Sequence, residues 1–187
     1  MNTSQITLTT NDEVLVVGDR YGTDTPSERG ALLLHMMPAV RESFREFGTK
    51  LAGHGIGALA IDLRGHGGST RRVDGEGKSV LDFRTFSDSD HQASIHDVRA
   101  ALAYMRKRGI GSIALVGASI GANLALQALA EDATLKGALL LSAGYNYRGI
   151  ETVPLVKTLH SGQNVYYAAS RDDGDTAKMA EGLYMAT

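Results

Sequence analysis

The pentapeptide Gly117-Ala118-Ser119-Ile120-Gly121 has the pattern Gly-x-Ser-x-Gly, in which a serine can serve as a nucleophile. A mostly apolar run at residues 112–116, which includes β-branched residues, precedes it. A run rich in alanine and leucine at residues 120–131 follows it. This order indicates a strand that turns directly into a helix. In such a turn the glycines avoid collisions with neighbouring elements, and strain lifts the hydroxyl above the sheet. The sequence therefore predicts Ser119 as a nucleophile.

The backbone N–H of Ile120 is a second group at this turn that could do chemistry. Because a helix follows Ser119, the first N–H groups of that helix have no partners within it. An unpaired N–H beside a nucleophile can stabilise negative charge on a carbonyl oxygen. A nucleotide-binding glycine turn is the alternative, but the Gly-x-Gly-x-x-Gly spacing is absent. We therefore expect acyl transfer, with the Ile120 N–H as an oxyanion donor.

Short apolar runs alternate with longer segments of helical periodicity, which predicts an α/β fold. We expect strands at residues 6–9, 14–17, 31–36, 58–63, 112–116, 137–141 and 164–169, and helices at residues 39–52, 90–108, 120–131 and from 175 onward. The continuously apolar strands indicate a mostly parallel sheet with helices on both faces. Asn11 and Asp12 predict a hairpin turn between the first two strands, at the sheet edge. Residues 65–78, rich in glycine and arginine, are expected to form a surface loop.

The composition is that of one ordinary globular domain, which we assign to residues 1–187. Hydrophobic residues make up 43% of the chain and the formal net charge is −2. With such a charge and scattered basic residues, we expect no nucleic-acid partner. The basic cluster at residues 106–108 is followed by Gly109, which indicates a helix end rather than a phosphate site. The absence of cysteine excludes disulfides, thiolate catalysis and zinc–thiolate sites.

The sequence offers no sign of targeting to a membrane or of secretion. The first ten residues lack the basic and then apolar pattern of a signal peptide. No apolar run approaches the ~18 residues that a membrane span needs. We therefore expect a cytoplasmic protein without a membrane partner, and the oligomeric state is left open.

Three further segments carry a resemblance to the α/β-hydrolase family. They are His-Met-Met-Pro at residues 35–38, Asp-Leu-Arg-Gly-His-Gly-Gly-Ser at residues 62–69 and Ser-Arg-Asp-Asp at residues 170–173. These segments resemble the family's His-Gly-x-Pro turn, its Asp-x-Arg-Gly-His-Gly-x-Ser loop and its Gly-x-x-Asp turn. They occur in the family's order and, with the serine turn, cover about residues 10–175. The resemblance implies an α/β-hydrolase fold.

The resemblance also implies roles for the first two of these segments. In the family, the residue after the glycine of the His-Gly-x-Pro turn gives a second oxyanion N–H, and this residue is Met37 here. Met36 occupies the glycine position of the family's pattern, so Met36 is the alternative donor. The loop at residues 62–69 has a mainly structural role in the family.

Asp173 is the acid that the resemblance implies, because it holds the fourth position of the Gly-x-x-Asp pattern after the last predicted strand. Asp172 is the alternative, and ordinary turn chemistry also explains an Asp-Asp-Gly-Asp sequence. A carboxylate in this place would fix the tautomer of a histidine and stabilise its imidazolium.

The base that would complete this triad is not found at the family's position. The family's chain order is serine, acid, histidine, and residues 174–187 contain no histidine. We therefore expect that a C-terminal strand and helix are missing, and loss of catalysis is the alternative. Sites of parallel sheets lie at the carboxyl ends of the strands. By this criterion His35, His66, His91 and His96 are possible bases, whereas His54 and His160 lie at the opposite end.

No metal or other cofactor is expected. A cluster of potential ligands matches neither His-Glu-x-x-His nor an EF-hand loop; it comprises Asp88, Asp90, His91, His96 and Asp97. Acidic residues near the start of a helix are explained by the helix dipole.

Residues 144–162, between the sixth and seventh predicted strands, are too few to form a lid domain. Residues 142–149 resemble small lidless bacterial hydrolases related to carboxylesterases and dienelactone hydrolases, with serine in place of the cysteine nucleophile of the latter. The resemblance implies hydrolysis of short-chain carboxylic esters, which are small-molecule substrates. A thioesterase or peptidase of the same fold is one alternative. An inactive binding protein of this fold is the other.

Overall fold

The computed structural model describes residues 2–22, 27–74 and 77–187. Its strands are β1 Asn2–Thr9, β2 Val14–Gly22, β3 Arg29–Leu34, β4 Gly57–Ile61, β5 Arg71–Asp74, β6 Gly77–Val80, β7 Ser112–Ala118, β8 Gly137–Leu141, β9 Asn146–Tyr147, β10 Ile150–Glu151 and β11 Asn164–Ala168. In this part of the chain, nine strands form one sheet of order β11-β8-β7-β3-β4-β2-β5-β6, with β1 on β2, and β9 and β10 form a separate hairpin. From β11 to β4 the pairs are parallel. The predicted α/β fold with a mostly parallel sheet is confirmed.

Helices cover both faces of the sheet, as predicted. They are α1 Arg45–Gly53, α2 Asp88–Gln92, α3 Ile95–Lys107, α4 Ile120–Glu131, α5 Thr152–Val156 and α6 Thr176–Ala186. Leu32 and Leu34 of β3 pack in the apolar cluster of α3 and α4, whereas Leu33 packs with Phe44 on the other face. This alternation explains why a strand buried on both faces is continuously apolar. None of the described helices is long and apolar enough to cross a membrane.

The N-terminal hairpin agrees with the sequence. β1 and β2 pair antiparallel, from Asn2 opposite Gly22 to Thr9 opposite Leu15. Thr10 Oγ1 donates a hydrogen bond of 2.7 Å to Asp12 in the turn. The bounds of β8 and α4 also agree with the prediction.

Residues 65–78, predicted as a surface loop, contain β5 and the first residues of β6. Residues 75–76 of that segment lie outside the described residues. β5 pairs with β6 and with the start of β2, where Val14 lies opposite Arg72. Val73 and Val80 are exposed. Because Val73 and Val80 do not face the core, the sequence of these strands lacks the periodicity that would have revealed them.

The helix predicted at residues 90–108 is divided into α2 and α3. A capping box starts α2 earlier than predicted, since Ser87 Oγ accepts a hydrogen bond from the Asp90 N–H and the Asp90 carboxylate accepts one from the Ser87 N–H. α3 ends at Lys107, and Gly109 has a φ of 85°. The predicted helix end at the basic cluster is therefore confirmed.

The carboxyl ends of the parallel strands lie side by side along one edge of the sheet. Leu34 at the end of β3 is opposite Gly117 of β7, and Leu141 of β8 is opposite both Ala118 of β7 and Ala168 of β11. Neighbouring strands are about 4.8 Å apart. The loops that follow these four strands therefore begin next to one another.

Candidate active site

Ser119 occupies the turn between β7 and α4 that the sequence predicts. Its backbone has φ 53° and ψ −120°, a conformation that residues with a Cβ rarely adopt. A Cβ on Gly117 would overlap the carbonyl oxygen of Gly121. A Cβ on Gly121 would overlap the carbonyl oxygen of Leu34. The two glycines are therefore required by the close approach of backbone on each side of the serine.

The backbone of Ser119 is held while its hydroxyl is left available. The Ser119 N–H donates to the Leu141 carbonyl oxygen at 2.9 Å, and the Ser119 carbonyl oxygen accepts from the Ala122 N–H at 2.8 Å. The side chain is partly exposed and makes no capping hydrogen bond to α4. The turn therefore presents a hydroxyl at the carboxyl edge of the sheet.

Two backbone segments next to this hydroxyl could supply oxyanion donors. Ile120 is the first residue of α4, so its N–H has no partner within the helix. The carbonyl oxygens of Leu34 and His35 lie against Gly121, which brings the loop after β3 to the start of α4. Met37 lies in that loop, two residues after His35.

The peptide group between Met36 and Met37 has a fixed orientation. His35 Nδ1 lies 2.9 Å from the Met36 carbonyl oxygen. In a trans peptide the C=O and N–H point in opposite directions, so the Met37 N–H points away from the imidazole. The Met36 side chain is exposed, whereas that of Met37 packs partly buried against the core. This arrangement fixes the direction of the Met37 N–H and leaves both Met36 and Met37 as candidate donors.

His35 holds the loop after β3 to the end of β4. It is fully buried, its Nδ1 bonds to the Met36 carbonyl oxygen, and its Nε2 accepts a hydrogen bond of 3.0 Å from the Leu63 N–H. Burial lowers the pKa of His35 to about 4. With both ring nitrogens engaged and the ring neutral, His35 positions a loop and is not available as a general base.

The buried imidazole of His35 predicts a loss of stability in mild acid. The unfolded chain gains a proton near pH 6.5, whereas the folded pKa is about 4. Between these values the unfolded state binds more protons, so stability falls as the pH falls, by at most about 3 kcal/mol. Urea unfolding at pH 7 and pH 4.5 should show a smaller acid loss in His35→Gln than in the wild type. Equal acid losses in the two proteins would contradict the assignment.

The loop after β4 is held by Asp62 and Ser69. Asp62 accepts hydrogen bonds from the backbone N–H of Arg41 at 2.8 Å and of Gly68 at 2.7 Å, and it forms an ion pair with the Arg41 guanidinium. Ser69 Oγ donates to the Asp62 carbonyl oxygen and accepts from the Val17 N–H, both at 2.8 Å. These contacts agree with the structural role that the resemblance implies.

Arg64 joins the same loop to α3. Its backbone N–H and its guanidinium each bond to the Asp97 carboxylate at 2.8 Å, and the guanidinium also binds Asp12 at 2.6 Å. Burial disfavours the guanidinium charge, but the hydrogen bonds to Asp12 and Asp97 outweigh it and raise the pKa of Arg64. Asp97 therefore forms a buried ion pair with Arg64. The helix dipole, which the sequence suggested as the reason for this acidic cluster, does not account for that pair. Among the described residues, no three side chains form a group that could hold a metal.

His66 and His91 are buried against aromatic rings. His66 Nδ1 lies 3.0 Å from the Arg64 carbonyl oxygen, and its ring stacks on Phe83 at 3.9 Å. The ring of His91 meets Phe86 edge-on. Burial lowers the pKa of both imidazoles. These contacts give both rings a packing role.

The remaining histidines do not complete a triad either. His96 is partly buried on α3, and His54 and His160 are exposed before β4 and β11, at the end of the sheet where the sequence places them. Within the described part of the chain, no imidazole hydrogen-bonds to Ser119 or Asp173.

Asp173 lies in the loop between β11 and α6 and is tied to the carboxyl edge of the sheet. Ser142 Oγ donates a hydrogen bond of 2.6 Å to Asp173 Oδ2. Hydrogen bonds from Ser142 and Thr176 lower the pKa of Asp173. Asp172, by contrast, makes a local contact through its N–H to Ser170 Oγ at 3.3 Å. Of the two candidate acids, Asp173 is the one that the structure ties to Ser142 at the edge of the sheet.

Ser142 is a polar residue at this edge to which sequence reasoning gave no role. It follows the last residue of β8 directly, just as Ser119 follows the last residue of β7. A polar residue immediately after a buried strand was the signal that could have singled it out.

The segment between β8 and β11 forms β9, β10 and α5 and is packed onto α4. Asn123 of α4 donates to the Ile150 carbonyl oxygen at 2.9 Å and accepts from the Gly144 N–H at 3.2 Å. Thr152 Oγ1 donates to the Gly144 carbonyl oxygen at 2.8 Å. This segment is therefore a small, anchored part of the domain.

Comparison with known proteins gives the same fold. A family model described as the alpha/beta hydrolase fold matches residues 32–172. The Pyrococcus furiosus esterase Pf2001 is 17% identical, with a TM-score of 0.77 over 99% of this chain and 76% of that one. A thioesterase domain from the curacin biosynthetic pathway is 18% identical, with a TM-score of 0.60 over 79% of this chain and 47% of that one. An alpha/beta hydrolase from Novosphingobium aromaticivorans is 23% identical, with a TM-score of 0.56 over 74% and 43% of the two chains.

A search of curated protein sequences gives no significant match. The solved structures are too distant in sequence to show more than the fold, whereas the family model covers most of the chain. It also spans the Ser119 turn and the loop after β3. The protein therefore belongs to the α/β-hydrolase fold family.

Proposed function

We propose that this protein is a serine hydrolase that cleaves carboxylic esters through an acyl-enzyme on Ser119. The observation that carries the proposal is the backbone of Ser119, with a φ of 53° between two glycines that no larger residue could replace. Such strain costs about 1–3 kcal/mol and persists where the surrounding structure enforces it. It exposes one hydroxyl at the edge of the sheet where sites of parallel α/β folds lie.

In the proposed reaction, Ser119 Oγ attacks the ester carbonyl carbon while a histidine accepts its proton. The N–H groups of Ile120 and Met37 stabilise the oxyanion, and each such donor contributes about 3 kcal/mol. The alcohol leaves with the proton from the histidine. Water then gives a proton to the same base and attacks the acyl carbonyl carbon. The bond from that carbon to Ser119 Oγ breaks, Oγ takes the proton back from the histidine, and the carboxylic acid is released. Asp173 orients the histidine and stabilises its imidazolium.

A second candidate function is binding without catalysis on the same fold. The observation that favours it is that none of the described imidazoles hydrogen-bonds to Ser119 or Asp173. Turnover of p-nitrophenyl acetate separates the two functions. A hydrolase releases many equivalents of p-nitrophenol per protein, whereas a binding protein releases none above the rate in buffer.

We expect the proposed hydrolase to prefer short acyl chains. The segment between β8 and β11 lies packed onto α4, so it supports no extended cap over a long chain. A methylene gains about 0.8 kcal/mol only when it is buried. The kcat/KM values of p-nitrophenyl acetate, butyrate, octanoate and decanoate should therefore not rise with length. A rise of about fourfold per methylene would instead indicate a buried acyl site.

Thioesters of the same acyl groups belong in that panel, because a thioesterase domain is among the structural neighbours. An ester hydrolase should cleave acetate esters at least as fast as acetyl thioesters. Faster cleavage of acetyl thioesters than of acetate esters would favour a thioesterase function.

A further inference from the structure

Ser142 occupies the position on β8 that Ser119 occupies on β7. The backbone bonds of the sheet continue one residue past each strand, since the Ser119 N–H donates to Leu141 at 2.9 Å and the Ser142 N–H donates to Ala168 at 2.8 Å. Ser142 therefore lies between Ser119 and the end of β11, the strand that leads to Asp173.

The backbone of Ser142, like that of Ser119, has a positive φ. Its φ is 51°, in the left-handed region that favours glycine. Its carbonyl oxygen accepts a hydrogen bond of 3.4 Å from Tyr147 Oη. A non-glycine residue in this region persists only where its surroundings enforce it, and such residues cluster at functional sites.

The side chain of Ser142 has a specific partner. Its Oγ donates to Asp173 Oδ2 at 2.6 Å, across 31 positions of the sequence. A hydroxyl donor to a carboxylate is a charge-assisted hydrogen bond, and this length is typical of one. The loop of Asp173 is otherwise exposed, so this contact fixes a carboxylate that solvent would leave free to rotate.

We propose that Ser142 is a positioning residue, whose hydroxyl holds one oxygen of Asp173 so that the other faces the base that Asp173 orients. The inference rests on the proposed serine hydrolase, because it assigns Ser142 to the acid of that mechanism. Ser142 touches no reacting atom and acts through Asp173 alone.

Two substitutions at Ser142 test the inference without disturbing the backbone. Ser142→Gly removes the hydroxyl and suits a φ of 51°. It should lower kcat for p-nitrophenyl acetate by about tenfold with little change in KM. Ser142→Asn offers an amide donor and tolerates the left-handed region, so it should restore most of the rate. Arg148→Gly is the matched control, because Arg148 has a φ of 53° and is exposed.

A second readout does not depend on turnover. Removal of a donor to the ionised carboxylate should raise the pKa of Asp173, which carbon-detected NMR of the carboxyl group measures in wild type, Ser142→Gly and Arg148→Gly. An unchanged titration and an unchanged kcat in Ser142→Gly would overturn the inference. A rate in Ser142→Asn as low as in Ser142→Gly would overturn the donor role.

These outcomes are distinct from failure of the proposed function. If Ser119→Ala hydrolyses as fast as the wild type, the serine mechanism is wrong and the inference fails with it. If Ser119→Ala is inactive while Ser142→Gly behaves as the wild type, the serine mechanism stands and only the role of Ser142 is wrong.

Discussion

On the proposed mechanism, replacement of Ser119 by alanine should abolish ester hydrolysis. Alanine lacks the Oγ that forms the acyl-enzyme but keeps a Cβ at the same φ of 53°, so the strain and packing of the turn are retained. Loss of a serine nucleophile lowers kcat on the order of 10⁴-fold or more, because the remaining groups of the site act with it as a unit. Initial rates with p-nitrophenyl acetate measure the effect.

The same variant should resist covalent labelling. A fluorophosphonate forms a stable bond to an activated serine, so intact mass spectrometry should find one adduct on the wild type and none on Ser119→Ala. Ser161→Ala is the matched control, because Ser161 is exposed in the turn before β11, at the other end of the sheet. It should keep both the rate and the adduct. Equal rates for Ser119→Ala and wild type would refute the role of Ser119.

Replacement of Arg64 by methionine should have the largest effect on stability. The side chain of Arg64 is 2% exposed and that of Asp97 is fully buried, with 2.8 Å between their charged groups. Methionine keeps much of the side-chain volume but leaves the Asp97 carboxyl buried without its partner. Burial already raises the pKa of Asp97 to about 6, so without Arg64 the carboxyl is either an unpaired charge or must be protonated. Breaking such a pair costs about 3–5 kcal/mol. Urea unfolding at pH 7 should show the loss as a lower midpoint.

Two further variants separate the buried charge from other causes of this loss. Arg99→Met breaks an ion pair with Glu131 whose side chains are 50% and 36% exposed, and it should cost under about 1 kcal/mol. Arg64→Met combined with Asp97→Asn removes the unpaired acid but keeps an acceptor for the backbone N–H at position 64, and it should be more stable than Arg64→Met alone. A cost for Arg64→Met no greater than that for Arg99→Met would contradict the role of the pair.

The Ser119 turn could be predicted because its determinants are local. The two glycines, the apolar strand before them and the helix after them occupy one stretch of about 20 residues. Each of these is a property of neighbouring residues, so no tertiary information was needed. β8 and α4 were predicted with their observed bounds for the same reason.

Contacts between distant parts of the chain could not be predicted in this way. The hydrogen bond between Ser142 and Asp173 spans 31 positions and that between Arg64 and Asp97 spans 33. No periodicity links such residues. Asp97 therefore appeared in a cluster of acids near a helix start, and its partner became visible only in the fold. The β5–β6 hairpin was missed because its pairing depends on β2 rather than on an apolar pattern of its own.

The histidines show both what local sequence could predict and what depended on contacts between distant residues. Chain order relative to the strands could sort the six rings by the end of the sheet at which they lie. It could not tell that His35 has both nitrogens engaged or that His66 stacks on Phe83. Those contacts depend on which side chains the folded chain brings together, and they decide which rings are free to accept a proton.

β11 and β7 differ in how many neighbouring strands hold them in the described sheet. In the described sheet, β11 is an edge strand that pairs with β8, whereas β7 lies between β3 and β8. Edge strands open before central ones. Fraying of β11 would release the bond from the Ser142 N–H to Ala168 and free the Asp173 loop, yet leave the Ser119 turn intact. In the described sheet, amide exchange should therefore be faster in β11 than in β7, and the lifetime of the β8–β11 pairing limits how long the Asp173 loop keeps its position beside Ser142.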